Sequence, residues 1–162
     1  MAYILAIIRR VIMSRRQAPL ARGEFLIFIP ILTRWADNDV YGHINNVTYY
    51  SFFDTAINRW LIERNHLDIN TSSTIGVVVE TGCTYFESIS FPDNVEVGLS
   101  VNRIGVSSVR YSVGVFKVDS KIACAQGHFT HVYVDRLTRR PVEISEKLRL
   151  ALENISKKPD RL

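Results

Sequence analysis

The chain has 162 residues, of which 47% are hydrophobic and 22% charged, values typical of one globular domain with a full core. No run approaches the roughly 18 to 20 consecutive apolar residues of a membrane-spanning helix, and the apolar fraction is far too high for an intrinsically disordered chain. The formal net charge of +4 divides into +5 for residues 1–23, −5 for residues 24–135 and +4 for residues 136–162. Because the basic residues lie at the two ends, the charge pattern predicts no nucleic-acid-binding groove.

The cysteine and histidine patterns favour neither a disulfide scaffold nor a metal site. Cys83 and Cys124 can form at most one bridge, so we expect two reduced thiols in a cytoplasmic protein. The four histidines show no HxxxH spacing and accompany no CxxC. His128 and His131 are three residues apart in a predicted strand, which places them on opposite faces. We therefore expect no bound metal.

The first 23 residues differ from the rest of the chain. An apolar start is followed by arginines, which is the reverse of a secretory signal. The composition resembles a mitochondrial presequence, but an upstream start codon, with Met13 as the natural first residue, is the simpler account. We expect residues 1–23 to be an N-terminal extension, disordered or peripheral, and residues 24–162 to form a single domain.

One strand and one long helix are predicted next. The apolar run at residues 25–33 predicts a strand buried on both faces, in which Pro30 indicates an edge position or a bulge. After a loop rich in Asp, Asn and Gly, residues 47–65 have the length and propensities of one helix with Asn46 as its N-cap. The apolar positions of this helix exceed a single stripe, so we expect it to be enclosed on most sides. We expect Asp54, in its middle, to be a buried structural hydrogen-bonding residue.

The remaining chain supplies a sheet. Residues 76–86 predict a strand, and residues 95–102 and 108–115 alternate apolar and polar side chains, as strands with one core face do. A tight connection leads to a last strand at about residues 121–134, and a basic amphipathic helix ends the chain. The element order predicts an α+β domain whose antiparallel sheet wraps around the long helix.

Residues 37–46 carry the chemical signal. Two carboxylates, Asp37 and Asp39, and the imidazole of His43 precede a helix whose first turn has no acid. The partial positive charge of that helix N-terminus is therefore available to an anion or a developing oxyanion, and Gly42 permits a sharp turn. From the residues alone, Asp37 is a turn or capping carboxylate, and His43 either orients a reacting group or pins the loop.

The segment RWADNDVYGHINNVTYYSFFDTA resembles the signature of the hotdog-fold acyl-CoA thioesterases, in the 4-hydroxybenzoyl-CoA thioesterase-like branch. The similarity extends over about residues 25–155. The positions that match the family pattern are Arg34, Asp37, Asp39, Gly42, His43, Asn45, Asn46 and Tyr49.

The resemblance implies a hotdog fold, in which a five-stranded antiparallel sheet wraps a long central helix, and a homodimer or a tetramer made of two dimers. It implies that Asp39 acts as nucleophile or general base, with the helix N-terminus near Asn46 as oxyanion donor and His43 as the third catalytic residue. It places five further residues at the substrate: Gly42, Tyr49, Arg103, Ser107 and Ser108. The last three lie in a predicted turn between two strands, and a role as solvated turn residues is the favoured interpretation of them.

The activity implied is hydrolysis of an acyl-CoA to the free acid and coenzyme A, with no metal or redox cofactor. Two alternatives stay open: a thioesterase that acts on an acyl carrier protein, docked by the basic C-terminal segment, and a non-catalytic acyl-CoA-binding module. No GxSxG motif is present, so a serine nucleophile is disfavoured. We expect no nucleic-acid partner, no membrane span and a cytoplasmic location.

Overall fold

The computed structural model describes residues 17–156. Its five strands form one antiparallel sheet in the order β1-β3-β4-β5-β2, and the long helix packs across one face. This confirms the predicted hotdog architecture. The elements are β1 (Ile27–Leu32), α1 (Asn46–Glu63), β2 (Thr74–Tyr85), β3 (Asn94–Ile104), β4 (Ser108–Lys117), β5 (Ala125–Asp135) and α2 (Glu146–Asn154).

The core lies between α1 and the sheet. Phe53, Ala56 and Ile57 are fully buried on the helix side, at the spacing of three and four residues that defines one helix face. The sheet contributes every second residue of β3 and β4, as the predicted alternation requires. The helix is less enclosed than its composition predicts, because one side carries exposed polar residues in the protomer.

Asp54 lies on that exposed side, so the prediction of a buried carboxylate is wrong. The hydrogen bond expected of it is present, since the Asn58 side-chain amide donates to Asp54 over 3.0 Å. The partner is one helical turn away, which is the ordinary reach of such a pair. Asp54 therefore supports its own helix.

The edge position predicted for the first strand is confirmed, but its burial on both faces is not. Strand β1 pairs with β3 alone, and Pro30, which has no amide to donate, is exposed there. Ile29 faces the core and is buried, whereas Leu32 is 78% exposed. An edge strand with no layer over its outer end cannot bury both faces.

Strand β2 forms the opposite edge of the sheet. It pairs with β5 along its length, with a register shift between Val78 and Glu80, and no described strand pairs with its other side. Val79 is 58% exposed. A long edge strand with apolar side chains and free backbone groups is a template for another strand.

The end of the N-terminal segment packs on the outer face of the sheet. The amide of Leu20 donates to Gln126, and the Arg22 guanidinium lies 4.4 Å from the centre of the Phe28 ring while it pairs with Glu96. These contacts precede residue 24, so the predicted domain boundary falls inside a continuous set of interactions. Residues 1–16, with Met13, lie outside the described residues.

The two strand histidines lie on opposite faces, as predicted. His131 is 1% exposed and is surrounded by the rings of Tyr111, Phe129 and Tyr133; burial lowers its pKa to about 4. His128 is on the outer face, 3.3 Å from Glu80.

Both cysteines are free. Among residues 17–156, none of the helices has both the length and the apolar character to cross a bilayer.

Candidate active site

Asp37 is a structural residue of the loop before α1. Its carboxylate is 2% exposed and accepts hydrogen bonds from the backbone amide of Arg34, at 2.7 Å, and from the Arg34 guanidinium, at 2.7 and 3.0 Å. All of these donors belong to a residue three positions earlier. Asp37 therefore closes a local turn, in agreement with the capping interpretation of the Asp-Asn-Asp run.

Asp39 has one anchored and one available oxygen. Its Oδ1 accepts from the amides of Tyr41, at 2.8 Å, and of His43, at 3.4 Å; Oδ2 has no hydrogen-bond partner within residues 17–156. The Asp39 amide donates to the His43 carbonyl, and the Gly42 amide donates to the Asp39 carbonyl. Gly42 adopts a φ of 82°, which a glycine reaches without strain. The tight loop thus holds the carboxylate in one orientation.

The helix begins one residue earlier than predicted. Asn45, rather than Asn46, is the N-cap, because its side-chain oxygen accepts from the Val47 amide over 3.0 Å. The Asn45 amide is itself fixed by the Asp37 carbonyl, at 2.8 Å. Asn46 is therefore the first helical residue, and the prediction that it caps the helix is wrong by one position.

One amide at this helix start remains available. The Val47 amide donates to the Asn45 side chain, and the Thr48 amide donates to the Asn45 carbonyl at 2.9 Å. The amide of Asn46 has no partner within the described chain. Since the first turn contains no acid, this N–H donor carries the undiminished partial charge of the helix N-terminus. It has the character of an oxyanion-hole donor.

His43 is held from a distant part of the chain. Its Nδ1 lies 3.4 Å from the Ser90 hydroxyl oxygen, and that hydroxyl donates to the Gly42 carbonyl over 2.8 Å. Ser90 thus fixes both the loop and the histidine. The sequence gives no indication of this residue, since 47 positions separate it from His43 and its neighbours form only a turn-like segment.

A cleft of about 210 Å³ opens beside the helix start. Its lining brings together three of the predicted site residues, His43, Asn46 and Tyr49, and the remaining lining residues are Ile44, Tyr85, Phe86, Glu87 and Ser88. Burial raises the pKa of Tyr49 to about 12, so its hydroxyl stays protonated at neutral pH. Asp39 and Gly42 do not line this cleft; they adjoin it through their hydrogen bonds to His43 and Ser90.

Three predicted substrate contacts lie elsewhere in the protomer. Arg103, Ser107 and Ser108 are at the β3–β4 turn, where Ile104 pairs with Val109. The cleft lies at the other end of the same strands. At about 3.3 Å per residue, the length of β3 separates the two by roughly 30 Å. Within one protomer the structure therefore does not bring these three residues to the cleft.

An antiparallel sheet around one long helix, with a carboxylate loop at the start of that helix, defines a hotdog-type α+β protein. The family model described as the thioesterase-like superfamily matches residues 33–152. The chain belongs to this superfamily. The resemblance read from residues 34–49 and the prediction of a thioester hydrolase are confirmed at that level.

Two solved structures and a curated relative are similar to this chain. The PA5185 protein of Pseudomonas aeruginosa strain PAO1 is 49% identical, with 88% of this chain and 100% of that chain covered and a TM-score of 0.85. PA2801 of the same species, described as a putative thioesterase, is 26% identical over 78% of this chain and 98% of that one, with a TM-score of 0.71. The uncharacterized protein YsmA of Bacillus subtilis is 25% identical over 88 residues. That match spans 54% of this chain and 59% of YsmA.

Proposed function

We propose that the protein hydrolyses acyl-CoA thioesters to the free acid and coenzyme A. The observation that carries the proposal is the pairing of two available groups in one short loop: the Oδ2 atom of Asp39 and the amide of Asn46. The backbone amides of residues 41–45, which lie between them, all donate hydrogen bonds within the chain. A preorganised carboxylate and a preorganised N–H donor are what attack on a thioester carbonyl requires.

In the proposed reaction, the thioester carbonyl oxygen accepts from the Asn46 amide. The Asp39 carboxylate either takes a proton from a water that attacks the carbonyl carbon, or attacks the carbon itself to form an anhydride that water then cleaves. In both routes the C–S bond breaks and the thiolate leaves and is protonated. Water supplies the oxygen of the acid, so the reaction as proposed needs no metal or redox cofactor.

His43 is proposed to orient the reacting carbonyl or water. Its ring lines the cleft, and its backbone amide contributes to the Asp39 anchor. The Ser90 hydroxyl at Nδ1 restricts the ring, so the remaining nitrogen, Nε2, is the one left to face a substrate. Gly42 and Tyr49 support the site, the first by its turn and the second as a wall of the cleft.

We place the complete site between two protomers. Pairing of β2 with β2 of a second copy would be antiparallel and would satisfy the open sheet edge. Antiparallel pairing sets the cleft end of one protomer beside the β3–β4 turn end of its partner. Arg103, Ser107 and Ser108 of a partner protomer would then approach the coenzyme A part of the substrate. The assembly proposed is a homodimer, or a tetramer of two such dimers.

The alternatives differ in substrate or in turnover. A carrier-protein thioesterase would use the basic C-terminal region to dock an acidic carrier, and a binding module would hold acyl-CoA without cleaving it. The two free thiols support the cytoplasmic location that we propose, because reduced cysteines are typical of that compartment.

The test is thiol release from purified protein with short, long and aromatic acyl-CoAs, and from an acyl carrier protein loaded with the same acyl groups. The Asp39→Asn variant keeps a side-chain acceptor for the Tyr41 and His43 amides but loses the base, so we expect a fall of about 10²-fold to 10⁴-fold in kcat. Asp119→Asn is the matched control, because Asp119 lies in a hairpin at a φ of 67°, which asparagine tolerates. Binding without release would favour the module, and equal rates for wild type and Asp39→Asn would refute the role of Asp39.

A further inference from the structure

The far wall of the cleft is the ring of Tyr85, the last residue of β2. Although 43% of this residue is exposed, its ring is not free to move. It packs edge-on against Tyr49, with ring centroids 5.1 Å apart and an interplanar angle of 85°. Tyr49 is buried in the core, so it offers a rigid surface.

The Tyr85 hydroxyl is tied to the start of α1. It donates to the carbonyl of Asn46 over 3.0 Å. The amide on the other side of that peptide group, from Val47, is held by the Asn45 side chain. The acceptor of the Tyr85 hydroxyl is therefore itself fixed. A ring that is packed on one side and hydrogen-bonded at its tip is held across the cleft.

This hydroxyl is a neutral donor at neutral pH. Burial raises the pKa of Tyr85 far above its usual value, and the neighbouring Cys83 and Tyr50 raise it further. Ionisation of the phenol therefore does not break the hydrogen bond to the Asn46 carbonyl.

We propose that Tyr85 is the specificity-determining residue, whose ring bounds the cleft and restricts the acyl group to a short chain or a single aromatic ring. The inference rests on the proposed function. The cleft within one protomer is open to solvent and measures about 210 Å³, which is of the order of the roughly 150 Å³ that benzene fills in an enclosed apolar cavity. A longer chain has to displace the ring, which breaks the bond to Asn46 and the contact with Tyr49.

The ring and the hydroxyl make separable contributions. Tyr85→Ala removes the wall and opens the cleft toward the space that the ring occupied. Tyr85→Phe keeps the wall but loses the hydrogen bond that holds it, so a long acyl chain displaces the ring at a smaller cost. A structural role alone would lower activity toward all substrates by the same factor, whereas a role in size selection changes their ratio.

The experiment compares kcat/KM for butyryl-, decanoyl- and benzoyl-CoA in the wild type and in both variants. We expect the decanoyl-to-butyryl ratio to rise by at least about tenfold in Tyr85→Ala and by a smaller factor in Tyr85→Phe. Thr84→Ala is the control, because Thr84 is on the opposite face of the same strand, and its ratio should equal that of the wild type. Tyr85→Leu replaces Tyr85→Ala if the latter does not fold.

The possible results distinguish a failure of the proposed function from a failure of the proposed role of Tyr85. If the wild type releases thiol from no acyl-CoA, the proposed function fails. If the wild type is active but already favours decanoyl-CoA, or if neither Tyr85→Ala nor Tyr85→Leu changes the ratio, the function stands and the role of Tyr85 is refuted.

Discussion

Acid should destabilise this protein through His131. The side chain is fully enclosed by aromatic rings, and its Nδ1 is buried without a hydrogen-bond partner. Burial lowers its pKa from 6.5 to about 4, because the imidazolium form cannot be solvated there. The unfolded chain therefore binds more protons than the folded chain between pH 6.5 and pH 4. The contribution of neutral His131 to the free energy of unfolding is complete above pH 6.5 and is lost as the pH falls toward 4.

The size of the effect follows from that shift. A difference of about 2.5 in pKa corresponds to about 3 kcal/mol when complete, and integration between the two pKa values gives a loss of about 2 kcal/mol by pH 5. Replacing His131 with Phe removes the titrating group and the unpartnered nitrogen while it keeps an aromatic ring in place.

The assay is urea denaturation of wild type and His131→Phe at a series of pH values from 5 to 8, at one fixed protein concentration. The free energy of unfolding of the wild type should decline by about 2 kcal/mol more than that of the variant between pH 7.5 and pH 5. His66, whose pKa is also lowered by burial, is present in both proteins and cancels in the difference. Parallel curves for the two proteins would refute the reasoning.

Three further perturbations have defined outcomes. Arg34→Ala leaves the buried Asp37 carboxylate without its side-chain partner, so urea denaturation should show a lower free energy of unfolding, whereas an unchanged value would show that the backbone amide alone satisfies Asp37. Ser90→Ala should lower kcat several-fold with little change in Tm, because it frees the His43 ring, and an unchanged kcat would contradict the anchoring role. Val79→Lys places a charge on the open strand edge, so light scattering should show a shift toward monomer; an unchanged oligomer would place the interface elsewhere.

Short-range sequence patterns predicted those elements whose structure depends on residues close together in the chain. The alternation of Val95, Val97 and Leu99 fixes which face of β3 enters the core, and Pro30 marks an edge strand because it lacks an amide. The loop from Asp37 to Asn46 was predictable as a candidate site because its residue types and the helix after it are contiguous. These features need no knowledge of distant contacts.

Distant contacts decided the rest. Asn45 and Asn46 are chemically equivalent caps, and the bond from the Asn45 amide to the Asp37 carbonyl selects between them. The importance of Ser90 arises only when the β2–β3 connection folds against the loop. Arg22 lies in a segment whose composition is typical of a solvated tail. The Phe28 ring and the Glu96 carboxylate on the sheet nevertheless hold its side chain in place.

The central claim is that the Asp39 carboxylate drives thioester cleavage while the adjoining cleft binds the substrate. Its most direct test measures acyl-CoA affinity by calorimetry and single-turnover thiol release by stopped flow, on the same preparations of wild type and Asp39→Asn. The account predicts dissociation constants within a few-fold of each other and a cleavage rate at least about 10²-fold slower in the variant. Equal cleavage rates at equal affinity would contradict it.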